Sequence, residues 1–134
     1  MNFVTNHLNK ILILNGIADI GFLLAPPLIH ESRSIFSAKH SASLDVLGFL
    51  VGCFLSFHGI VRIFAGLNVT SKTARRVAVL SYWIESAWAI ATTLLKPDDI
   101  IAERIRPMIF VPLVGSLVVL FLYAEPVSSE KKKK

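Results

Sequence analysis

Apolar residues in this chain fall in long blocks, without the one-sided stripe of a soluble helix or the alternation of a half-buried strand. Four blocks stand out, at about residues 11–29, 44–67, 74–95 and 105–124. Each approaches the roughly 20 residues that a helix, rising about 1.5 Å per residue, needs to cross a hydrocarbon core about 30 Å thick. Short polar connectors separate the blocks. The pattern therefore predicts an all-α, integral membrane four-helix bundle with antiparallel neighbours and left-handed crossings. The first block follows a leader charged only at Lys10 and ends in Ala25-Pro26-Pro27 without a small-x-small cleavage pattern, which favours a retained span over a signal peptide. In the fourth, Pro107 suits a helix start and Pro112 predicts a kink.

Composition agrees with this reading. The 134 residues are 54% apolar and 17% charged, against about 45–50% and about 25% in soluble domains, and the length suits a single domain. One cysteine, Cys53, excludes an intrachain disulfide and a cysteine-based metal cluster. The formal charge of +5 includes the terminal run Lys131 to Lys134, and most other cations flank the apolar blocks. This is membrane-flank charge and predicts no nucleic-acid partner.

Lys and Arg in the short loops set the expected orientation. With both termini cytosolic, that side holds Lys10, Lys72, Arg75, Arg76 and the basic tail of residues 125–134, and the other side holds Arg33, Lys39, Lys96, Arg104 and Arg106. The bias depends on the tail. Acidic Glu31, Asp98, Asp99 and Glu103 all fall on the side assigned outside. The four terminal lysines fit a dilysine retrieval signal of the endoplasmic reticulum or, alternatively, a solvated tail near anionic lipid. The sequon Asn68-Val69-Thr70 lies against the membrane on the cytosolic side and is expected to stay bare.

The exceptions inside the blocks carry the candidate chemistry. By helical rise, Asp19 lies roughly 12 Å from the cytosolic start of the first block, His58 roughly 13 Å from the cytosolic end of the second, and Glu85 roughly 12 Å into the third. Arg62 is one turn nearer the cytosol on the same face as His58. Each lone charge in lipid costs about 2.5–3.5 kcal/mol on insertion scales, so these groups are expected to face one another. Bland readings stand beside this one: Arg62 snorkels to the headgroups, His58 serves as a helix contact, and Asn15 with Asp19 acts as interhelical glue. Trp83 and Trp88 with Tyr82 and Asn15 form either an aromatic wall for an apolar ligand or ordinary packing. Gly48, Gly52, Gly59 and Gly66 suit close helix approach within the bundle or a homodimer face. No calcium-ligand loop, phosphate-binding glycine loop, metal-ligand pair or catalytic triad order is present, so no cofactor or metal is predicted.

Several short motifs then matter together: Gly59-Ile60-Val61-Arg62-Ile63-Phe64-Ala65-Gly66, Leu80-Ser81-Tyr82-Trp83, Pro112-Leu113-Val114, and Ala124-Glu125-Pro126-Val127-Ser128 before the lysines. Over about the C-terminal two-thirds, the chain resembles the small four-span ergosterol-biosynthesis scaffold family. It departs from that family near Phe49 and at Trp88 and Thr92, where the family carries arginine, histidine and glutamate. The resemblance implies a non-catalytic, multi-pass protein of the endoplasmic reticulum membrane that tethers sterol-synthesis enzymes. The alternative from the residues is a small membrane-embedded isomerase, cyclase or oxygenase acting on a sterol or terpenoid. In that reading Glu85 or Asp19 would be general acid or base, tuned by Arg62 and His58, with tryptophan faces stabilising a cationic intermediate.

Overall fold

A computed structural model describes residues 3–123, and the helices it contains begin from the local sequence. The first, α1 (Phe3–Leu24), starts well before the apolar block and stops five residues short of the block's expected end at residue 29. The stop is at Ala25, which is extended (φ −95°, ψ 120°) because the following Pro26 crowds the α region of its predecessor. Pro26 and Pro27 occupy the first turn of a separate short helix, α2 (Pro26–Ser34), where a missing N–H costs nothing. A tight turn over residues 38–43 leads into α3 (Leu44–Leu67).

Residues 68–71 connect α3 to α4 (Lys72–Leu95), whose start is capped by the Ser71 hydroxyl, 3.3 Å from the Ala74 N–H that donates to it. The last helix, α5 (Ala102–Tyr123), contains Pro107 and Pro112. Pro112 deprives the Met108 carbonyl of its helical donor. One residue on, the Ser86 hydroxyl of α4 donates to the Ile109 carbonyl at 3.0 Å, tying α4 to this stretch of backbone. Among the described residues there is no strand; Phe36 and Ile100 form an isolated antiparallel bridge.

Contacts fix the relative directions. α1 packs chiefly on α3, α4 on α5, and α3 on α4. Along the α1–α3 seam, Gly52 meets Phe22, Gly59 meets Gly16 and Gly66 meets Asn9, so the two helices run antiparallel. The backbones touch there: a Cβ on Gly59 would stand 2.5 Å from the Gly16 carbonyl oxygen, and one on Gly66 would stand 3.0 Å from that of Asn9. The seven-residue spacing of Gly52, Gly59 and Gly66 keeps one small-residue stripe against α1, as a left-handed crossing requires. Gly48 serves a different neighbour, α2, whose Ser32 hydroxyl donates to the Gly48 carbonyl at 3.2 Å.

Side chains exposed at the outer surface are apolar on every long helix, among them Leu14, Phe57, Phe64, Ile84, Phe110 and Leu117. Three helical stretches, His7–Leu24, Ala38–Leu67 and Lys72–Leu95, are long and apolar enough to cross a membrane. That combination marks a multi-pass membrane protein. α5 begins with Glu103, Arg104 and Arg106 in its first turns and is not one of these three. The connector after α2 and the one after α4 meet at one end of the molecule. Ser37 N–H donates to the Asp99 carbonyl at 3.0 Å, Ile101 N–H donates to the Ile35 carbonyl at 2.7 Å, and Lys39 and His40 both reach the Asp99 carboxylate.

Candidate functional site

Two apolar clusters fill the interior, with a polar layer between them. One cluster gathers Leu8 and Leu12 of α1, Ala65 of α3, Ala74, Ala78 and Val79 of α4, and Val119 of α5. The other gathers Val51 and Leu55 of α3, Ala89 of α4, Ile105 of α5 and the connector residues Ile35 and Ile100. Following each helix from one cluster to the other passes through Asp19 on α1, Arg62 on α3 and Glu85 on α4.

These three are in direct contact. Arg62 Nη1 donates to Asp19 Oδ2 at 2.5 Å, Nη2 donates to Glu85 Oε2, and Nε donates to Ser81 Oγ at 3.2 Å. The Ser81 hydroxyl in turn donates to the Ala78 carbonyl at 2.7 Å. The guanidinium carbon lies 3.8 Å from the centroid of the Tyr82 ring, a cation held over an aromatic face. Tyr82 Oη donates to Asn15 Oδ1 at 2.5 Å, and Asn15 Nδ2 stands 3.5 Å from Asp19 Oδ1, which closes the circuit. A planar fork with several donors suits this arrangement; the single ammonium of lysine could not reach two carboxylates and a hydroxyl while stacking on a ring. Arg62 is 1% exposed, so it does not snorkel, because acceptors on α1 and α4 lie within its reach.

The local sequence explains the α4 side of the site. Ala78, Ser81, Tyr82, Glu85 and Ala89 recur at three- and four-residue steps and form the buried stripe of α4. Ser81 and Glu85 are one turn apart on that stripe. Ser81 was detectable in the sequence only by this spacing, since a serine alone signals nothing. α5 reaches the layer through Gly115, where a Cβ would stand 2.9 Å from the Tyr82 ring.

Other expected participants lie elsewhere. His58 is buried, at 3% exposure, but does not join the cluster; among the described residues neither ring nitrogen has a hydrogen-bond partner. Its ring packs edge-on against Phe54 (centroids 4.5 Å apart) and Phe57 (5.8 Å). The expected aromatic wall of Trp83, Trp88, Tyr82 and Asn15 does not form one pocket. Trp83 follows Tyr82 by one residue, turns about 100° away around the helix, and is 49% exposed. There it lines an outer groove of about 350 Å³ with Arg75, Arg76, Val79 and Val119. Trp88 instead leans on Phe54, 5.1 Å between centroids.

Chemically, the layer is a helix clamp. Neither the outer groove nor a cleft of about 190 Å³ between α3 and α4 is lined by Asp19, Arg62 or Glu85. The described residues contain no group of His, Cys, Asp and Glu that could hold a metal ion. The Arg62 cation bonds both carboxylates and a hydroxyl, the state in which buried charges are tolerated in an apolar interior. At the connector end, the Lys39 ammonium, paired with Asp99, and then the His40 ring, whose Nε2 stands 3.2 Å from the same carboxylate, hold its carboxyl below the usual value of 3.8. A comparison with known protein families, curated proteins and solved structures yields no match.

Proposed function

We propose that this chain is a non-catalytic membrane scaffold of the endoplasmic reticulum, spanning the bilayer four times, that tethers lipid-synthesis enzymes acting on sterols. The observation that carries the reading is the ion cluster, in which the charges that would have to perform catalysis are bonded to one another between apolar layers. A general acid or base must meet its substrate, and Asp19 and Glu85 meet Arg62 instead. The broad apolar exterior offers docking area to partner helices as well as to lipid. The resemblance of the second, third and fourth blocks to the sterol scaffold family supplies the identity of the partners. In this reading α5 is the fourth span and both termini are cytosolic, with the terminal lysines acting as the retrieval signal. Those lysines and the Glu125-Pro126-Val127-Ser128 motif lie outside the described residues.

The test is affinity purification of the full chain from native membranes in mild detergent, comparing the wild type with Glu85→Gln. Sterol-modifying enzymes are expected in both eluates at similar yield, enriched over an unrelated multi-pass control. Absence of that enrichment would remove the scaffold reading. Replacing Lys131 and Lys132 by serine is expected to release the protein from the endoplasmic reticulum.

A further inference from the structure

The two ends of the molecule differ in the sign of their charge. One end gathers the start of α1, the end of α3 and the start of α4, since Leu8, Ala65, Val69 and Ala74 share a cluster there, and Val119 brings the last turns of α5 to it. The side chains described at this end include the cations Lys10, Lys72, Arg75 and Arg76 and no acid. At the opposite end the cations have acidic neighbours: Arg33 pairs with Asp45, Lys39 with Asp99 and Arg104 with Glu31. Arg76 is exposed and takes part in none of the salt bridges among the described residues.

Arg76 also lines the outer groove between α4 and α5. Arg75, Arg76, Val79, Leu80 and Trp83 form the α4 side of this groove, and Val119 and Leu120 form the α5 side, around a volume of about 350 Å³. Trp83 follows Arg76 by seven residues, about two turns and roughly 10 Å along the axis. The lining is therefore basic where α4 begins and apolar further in. Leu80, Trp83 and Leu120 are exposed on the outer surface, so the apolar part is open to lipid from the side.

This order of charge and apolar wall decides the occupant. An apolar partner helix would cover the wall and leave the arginines without an anion. Free phosphate would meet the arginines and leave Leu80, Trp83 and Leu120 uncovered. A zwitterionic lipid brings a cation of its own beside them. A lipid with a net negative head satisfies both parts: a guanidinium fork matches phosphate oxygens, and cations at the edge of a membrane attract anionic lipid. We propose that the α4–α5 groove binds one anionic glycerophospholipid, its phosphate at Arg76 beside Arg75 and the upper part of an acyl chain along Leu80, Trp83 and Leu120. The site stands apart from the scaffold reading and from the direction in which the chain crosses the membrane, because the lipid occupies whichever leaflet the basic end faces.

The two tryptophans report on it. Trp88→Phe leaves Trp83, in the groove, as the sole tryptophan, and Trp83→Phe leaves Trp88, which leans on Phe54. The full chain is reconstituted in phosphatidylcholine vesicles doped with phosphatidylserine, phosphatidic acid or phosphatidylcholine brominated in the upper acyl chain, which quenches tryptophan on contact. Trp83 is expected to prefer either anionic lipid over brominated phosphatidylcholine roughly tenfold or more, and Trp88 is expected to show no headgroup preference. Arg76→Gln is expected to lower the Trp83 preference roughly fivefold, the worth of one cation beside an anionic membrane surface. Lys10→Gln removes the same charge from the same end but outside the groove, and is expected to leave the preference near its original value. Arg76 is exposed, so its replacement is expected to leave helix content unchanged, which circular dichroism checks. Absence of any anionic preference at Trp83 would give the groove to bulk lipid or a partner helix and overturn the proposal. An equal loss in folded Lys10→Gln and Arg76→Gln proteins would reduce the effect to diffuse attraction and overturn it as well.

Discussion

Replacing Arg62 by leucine removes the one cation of a layer that holds two carboxylates. Both are almost fully buried, with side chains 8% and 7% exposed for Asp19 and Glu85. Stranding a buried charge by deleting its partner costs about 3–5 kcal/mol. Here two carboxylates are stranded at once and Ser81 loses a donor, so Arg62→Leu is expected at or above the upper end of that range. Glu85→Gln acts differently. With both carboxylates ionised, the trio carries a net charge of −1, and the amide brings it to zero while Arg62 keeps Asp19 and Ser81. The amide oxygen still accepts from Arg62, so the expected loss is about 0.5–1.5 kcal/mol, the value of one hydrogen bond. Unfolding by sodium dodecyl sulfate in mixed micelles, followed by far-ultraviolet circular dichroism and by the fluorescence of Trp88 against Phe54, measures both differences. An Arg62→Leu protein within about 1 kcal/mol of the wild type, or a Glu85→Gln protein as unstable as Arg62→Leu, would refute the clamp.

Other outcomes follow from the same geometry. Gly59→Ala puts a methyl group against the Gly16 backbone, which cannot yield, and is expected to cost about 1–3 kcal/mol as overpacking in the same unfolding assay. Asn15→Leu deprives the Tyr82 hydroxyl of its acceptor and is expected to destabilise by about 1–3 kcal/mol, whereas Asn15→Leu combined with Tyr82→Phe recovers part of that loss. The carboxyl of Asp99 is held below 3.8 in the fold, so its contribution is present above that value and fades as pH falls through the lowered one. Hydrogen exchange at Ser37 and Ile101, after correction for intrinsic rates, is accordingly expected to quicken as pH falls below about 3.8.

Helical rise along each apolar block placed Asp19, His58 and Glu85 at one depth and Arg62 one turn nearer the cytosol, yet it is Arg62, and not His58, that meets the two carboxylates. Rise gives height and says nothing about azimuth. His58 shares a face with Arg62, but its short ring reaches Phe54 and Phe57, while the longer Arg62 chain reaches two other helices. The glycines of α3 were legible as close-approach positions; which neighbour each would meet was not, and Gly48 went to α2. The break at Ala25 was written in Ala25-Pro26-Pro27, but the block's hydropathy ran on past it, so the first segment was expected to continue to residue 29. The pairing of Phe36 with Ile100 joins connectors some sixty residues apart, and no local pattern announces such a contact.

The polar layer also bears on how the chain is made. Asp19 leaves the ribosome before Arg62, and Arg62 before Glu85. An α1 released alone into lipid would carry an unpaired acid, and an α3 released alone would carry an unpaired base, each at about 2.5–3.5 kcal/mol on insertion scales. The two charges become each other's partners once α3 has been synthesised, and Glu85 on α4 then meets an Arg62 already in place. Integration of α1 and α3 is therefore expected to be a joint event, with α1 kept at the translocon or beside a membrane chaperone until α3 arrives. A ribosome stalled before residue 62 would hold a chain whose membrane commitment is incomplete.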